Sequence, residues 1–142
     1  MIYQNEADLL AEATRLIAKW QPLLLLQEWE INCKTGELTD SKAEFECAKS
    51  SFFAKTRQAV IVFDLPFWTG KRTPSEESKP ERQGLDSTVV HELLHIRTAD
   101  WRAEYEYIID DVGKMKSQNF YHEEEKFINI LARILVNLEA KR

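Results

Sequence analysis

The chain has 142 residues, 44% of them hydrophobic, which suits one compact domain (1–142) around a single core. A formal net charge of −5 without any basic stripe argues against a nucleic-acid partner. The longest aliphatic run is Leu23 to Leu26, and Met1-Ile2-Tyr3-Gln4-Asn5-Glu6 lacks the basic head and apolar stretch of a signal peptide, so no membrane partner and a cytoplasmic location are expected.

In chain order, Asn5 or Asp8 is placed to cap a first helix whose apolar positions Leu9, Leu10, Ala13, Leu16, Ile17 and Trp20 recur at helical spacing, with Pro22 closing it. Trp29, Ile31 and Cys33 then alternate with Glu28, Glu30 and Asn32, the period of a strand with one buried face. Phe45 and Cys47 start a second alternation that continues to Phe52 and Phe53. The polar Lys55-Thr56-Arg57-Gln58 reads as a turn into Ala59-Val60-Ile61-Val62-Phe63, and hence as a hairpin. A small, mostly antiparallel sheet of about three strands is expected, with Val60 to Phe63 on an edge able to take up an extended peptide by strand addition. Cys33 and Cys47 are isolated from each other and from any CxxC pair, and read as buried free thiols. From Pro66 to Gly84, Pro, Gly, Ser and charged residues predominate, which predicts a long exposed connector.

Asp86 or Ser87 can cap the next helix, expected to run to about Thr98. It carries Val89-Val90-His91-Glu92-Leu93-Leu94-His95-Ile96, an HExxH pattern. Residues four apart share a helix face, so His91 and His95 can reach one metal ion while Glu92, a step round the helix, leans toward a water beside it. A further helix is expected around Arg102 to Met115, and the last from about Tyr121 to Lys141, with Phe127, Ile128, Leu131, Ile134, Leu135 and Leu138 as its apolar positions. The fold class is therefore α+β.

Two histidines leave one ligand to find, because a catalytic zinc normally takes three protein ligands and keeps a fourth position for water. The metzincin pattern would need a third histidine six residues after His95, where Trp101 stands. His122 and the run Glu123-Glu124-Glu125 remain, although carboxylates in a first helical turn also serve the positive helix end. Glu124 shares a face with Phe127, Leu131 and Leu135, which turns it toward a core.

The segment Glu125-Lys126-Phe127-Ile128-Asn129-Ile130-Leu131-Ala132 resembles the third-ligand helix of gluzincins, in which a Glu lies one turn before an Asn or Asp. With the HExxH helix some thirty residues earlier, and with the order helix, short sheet, HExxH helix, ligand helix, most of the chain is similar to the very small metallopeptidase-like proteins of bacteria and phages, the ImmA/IrrE type among them. The resemblance implies a minimal zincin-like domain that binds Zn2+ through His91, His95 and Glu125, with Asn129 beside a ligating histidine and Glu124 as the rival for the third position. It also implies a metallopeptidase that hydrolyses peptide bonds in a protein or peptide substrate, with Glu92 as general base. Tyr105, Tyr121 and His122 are candidates to stabilise the oxyanion. The alternative is a zincin-like metal-binding domain with a regulatory or partner-binding role and little or no proteolysis.

Overall fold

The computed structural model describes residues 2–38, 46–72, 84–99 and 114–141, with backbone only for 114–121. Within them run α1 (Glu6–Leu23), β1 (Glu30–Gly36), β2 (Ala48–Phe53), β3 (Gln58–Asp64), the single turn α2 (Leu65–Trp68), α3 (Leu85–Arg97) and α4 (Lys114–Ala140). The class is α+β, as expected. No helix among the described residues is long and apolar enough to cross a membrane.

Asn5 caps α1, its side-chain oxygen accepting from the Asp8 N–H at 2.9 Å, while Glu6 and Asp8 set carboxylates at the positive helix end. Leu9, Ala13, Leu16, Ile17 and Trp20 form its buried face. The helix ends one residue after Pro22. Gln21 spans the following turn, its Nε2 donating to the carbonyls of Leu26 at 2.9 Å and Trp29 at 2.7 Å, and so sets where β1 begins.

The strand order is β1-β3-β2. β2 and β3 make the expected hairpin, Phe53 opposite Gln58, with Arg57 at φ 56° turning the chain. β1 runs parallel to β3, Glu30 opposite Gln58 and Gly36 opposite Asp64. The sheet is thus mixed rather than mostly antiparallel, and Val60 to Phe63 occupy its central strand instead of an edge. The physical reason lies in β3 itself. Ala59, Ile61 and Phe63 are buried in the core on one face, while Val60 and Val62 are half-covered on the other, and a strand apolar on both faces belongs in the middle of a sheet.

The stretch expected to be an exposed connector from Pro66 opens with a buried element. Phe67 and Trp68, in α2, are fully buried and stack edge to face with centroids 5.0 Å apart. Asp64, itself fully buried, caps this turn: Oδ2 accepts from the Phe67 N–H at 2.9 Å, Oδ1 accepts from the Leu38 N–H at 2.8 Å, and the Arg72 guanidinium pairs with the carboxylate. The rest of that connector, 73–83, lies outside the described residues, as does the helix expected at 102–115 apart from its last two residues, which open α4.

α1 and α3 pack together and against the sheet, and α4 packs on α3, so that one core joins Trp20, Ile61, Phe63, Val89, Leu93 and Ile128. Cys33 and Cys47 are free thiols, each half-buried. Burial pushes the Cys47 thiol up to about 12, which keeps it protonated and inert.

Candidate metal centre

Gly84, not Asp86 or Ser87, is the N-cap of α3. Its φ of 70° lies in the left-handed region open to glycine, which lets the chain enter the helix sharply. Asp86 is engaged elsewhere: its Oδ1 accepts from the Trp20 indole N–H at 2.7 Å and pins α3 to α1. Leu85, Val89, Val90, Leu93 and Ile96 turn into the core. His91 and His95, one turn apart, are left on the side facing α4.

From α4, Glu124, Ile128 and Ala132 form the inward line, and Glu125 is the next side chain round the helix. Its carboxylate spans the two imidazoles: Oε1 lies 2.9 Å from His91 Nε2, Oε2 lies 3.0 Å from His95 Nε2, and the two Nε2 atoms are 3.1 Å apart. Four-coordinate zinc with ligand bonds of about 2.0–2.1 Å needs donors separated by about 3.3 Å, so these three side chains fit one triangular face of such a site. They are the only group of three or more metal-ligating side chains that converges among the described residues, and they could hold a metal ion. Glu125 is half exposed while the imidazoles are mostly covered, which leaves the cluster open to solvent on one side.

Behind His95 stands Glu124. Its carboxylate is buried, accepts from the Thr98 hydroxyl at 3.0 Å, and places Oε1 3.7 Å from His95 Nδ1, within ion-pair reach. The adjacent glutamates therefore divide two tasks, Glu125 at the Nε2 face and Glu124 at the back of one ring. Burial opposes the charged form of His95, but Glu124 and Glu125 outweigh it and lift the imidazole to about 9. The same hydrogen bonds from His91 and His95 hold the Glu125 carboxyl far below the usual carboxylate range.

Glu92 is almost wholly buried. Burial pushes its carboxyl above the usual range, against the pull of His91, His95 and the Ser50 hydroxyl of β2. A carboxylate with raised basicity beside a cluster of imidazoles has the character of a proton acceptor.

Of the other residues singled out in the sequence, His122 is exposed and takes no part in the cluster. Asn129 is also exposed and makes no hydrogen bond to either imidazole, so the expected place beside a histidine is taken by Glu124 instead. Tyr105 and the Tyr121 side chain lie outside the described residues. Sequence reasoning missed Thr98 and Ser50. Thr98 sits three residues after His95 and so falls on a neighbouring face, a signal that was available; Ser50 reaches the site through strand packing, for which no local signal exists.

Fold and site together define an α+β protein whose HExxH helix and last helix bring two histidines and a glutamate into a potential metal centre. Comparison of the chain with protein-family models, with curated proteins and with solved structures finds no match to any of them.

Proposed function

We propose that the chain is a minimal zincin-like, gluzincin-type zinc metallopeptidase acting on a protein or peptide in the cytoplasm. The observation that carries this reading is the convergence of His91 Nε2, His95 Nε2 and Glu125 within about 3 Å of one another, with Glu92 buried alongside. A zinc ion held by His91, His95 and Glu125 would supply Lewis acidity for a carbonyl oxygen and for an attacking water. Glu92 is the group placed to accept a proton there and to return it to the leaving amine, a role that its raised basicity suits. Glu124, with Thr98 behind it, holds the His95 ring so that Nε2 faces the centre. Among the described residues β2 is a terminal strand of the sheet, carries Ser50 toward Glu92, and is the sheet edge on which an extended peptide would lie closest to the reacting groups. The open side of the cluster supports turnover over a purely structural metal, which would more often be closed by a fourth protein ligand.

Metal content of the purified protein, measured beside a His91→Ala variant, tests the centre, with stoichiometric zinc expected in the first and loss in the second. Cleavage of a peptide library by the parent protein and not by Glu92→Gln, abolished by a chelator, tests the chemistry. A parent protein that refuses zinc, or equal cleavage by both proteins, overturns the proposal.

A further inference from the structure

Four apolar side chains of α4 stand in solvent: Phe127 and Ile130, each 60% exposed, Ile134 at 49% and Leu138 at 59%. Spaced three, four and four residues apart, they form one unbroken stripe on the order of 17 Å long, rotated roughly 120° from the inward line of Glu124, Ile128 and Ala132. The outer face of a helix normally carries charge, and a continuous apolar row there marks an interaction surface.

The order of residues along the stripe names the occupant. Ile130 and Ile134 stand symmetrically about Ala132, Phe127 and Leu138 nearly so, and Glu123, in i,i+3 contact with Lys126, and Lys141, both exposed, lie on the same row nine residues to either side. A second copy of α4 laid antiparallel across a two-fold axis at Ala132 brings Ile130 against Ile134 of the partner subunit, Phe127 against Leu138 of the partner subunit, and Glu123 against Lys141 of the partner subunit, each contact made twice. A parallel copy would set Glu123 beside Glu123 and Lys141 beside Lys141. An unrelated partner would require no such symmetry. We propose that this face of α4 is the two-fold interface of a homodimer. Glu125 projects from the opposite side of the helix, so the interface leaves the candidate metal centre uncovered, and the dimer stands or falls independently of any activity.

Sedimentation velocity over about 1–100 μM, a range in which modest interfaces associate, tests this. A dimer is expected for the parent chain and a monomer with an unchanged circular dichroism spectrum for Ile134→Glu, a substitution at a half-exposed site that leaves the fold intact. Glu123→Lys and Lys141→Glu are each expected to raise the dimer Kd by about tenfold at low salt, and the two together in one chain to restore it. A parent protein that stays monomeric at the highest concentration overturns the proposal, whether or not another protein then covers the stripe. So does a dimer that Ile134→Glu leaves intact, or a double charge exchange that fails to restore association.

Discussion

Glu124 and Glu125 are neighbours of one residue type, yet a rotation of about 100° between them sets one carboxylate against the two imidazole Nε2 atoms and the other behind the His95 ring. If Glu124 orients His95, Glu124→Gln lowers zinc affinity by about tenfold to a hundredfold in competition with a chelating dye, and leaves Glu125 in place as ligand. Glu92→Gln is expected to lower turnover by about 10²–10⁴-fold with zinc content unchanged, and to leave the thermal midpoint equal or higher, because a buried ionisable group is removed. The pH dependence of the metal-free protein follows from the same residues. Glu125, depressed by its imidazole partners from an ordinary 4.5, contributes stability that is present above that value and is lost as the pH falls below it. His95, raised from 6.5 to about 9, contributes stability that is complete below 6.5 and is lost as the pH rises through about 9. Glu92, raised by burial, adds a loss of stability that sets in once the pH exceeds the ordinary carboxylate range, which draws the maximum toward the acid end of the window. Thermal midpoints of the metal-free protein are therefore expected to peak between pH 4.5 and 6.5 and to fall toward pH 9. Zinc should suppress the alkaline decline, since a ligating imidazole has no proton to lose.

Among the elements, the helices were the most legible. The apolar spacing of Leu9, Ala13, Leu16 and Trp20, and the Asn5 cap, are local properties that survive in α1 unchanged. The hairpin turn before Gln58 was equally local. The central position of β3 is legible too, in the unbroken apolar run from Ala59 to Phe63, against the expected edge and mostly antiparallel sheet. α4 was expected to bury Phe127, whereas its inward line passes through Ile128 and Ala132, because a helix apolar over more than half its circumference does not reveal which arc meets the core. The connector after β3 hid a structural element whose stability rests on one side chain. Asp64 satisfies two backbone N–H groups and Arg72 from a fully buried position, so Asp64→Asn is expected to cost about 2–3 kcal/mol in urea unfolding and to loosen α2 with Phe67 and Trp68.

For the whole molecule, the candidate ion would join α3 to α4, two helices that already pack against each other. A ligand that binds only the folded chain stabilises it in proportion to the logarithm of its concentration over Kd, about 2.7 kcal/mol at a hundredfold excess. For a domain of this size that corresponds to about 8 °C in thermal midpoint, lost on adding a chelator and absent in Glu125→Ala. A shift that persists in Glu125→Ala would place the ion elsewhere.

The sequence by itself determined the α+β class, the first helix, the hairpin and the pairing of His91 with His95, because each depends on residues within one or two turns of each other in the chain. Only the tertiary structure decided that β1 lies parallel to β3, that Glu125 rather than His122 meets the imidazoles, that Glu124 stands behind His95, and that Ser50 reaches Glu92. These depend on how β1 docks along β3, on how α4 is rotated against α3 and on how β2 lies beside the HExxH helix. Such orientations are set by the packing of side chains far apart in the chain, and no local period in the sequence records them.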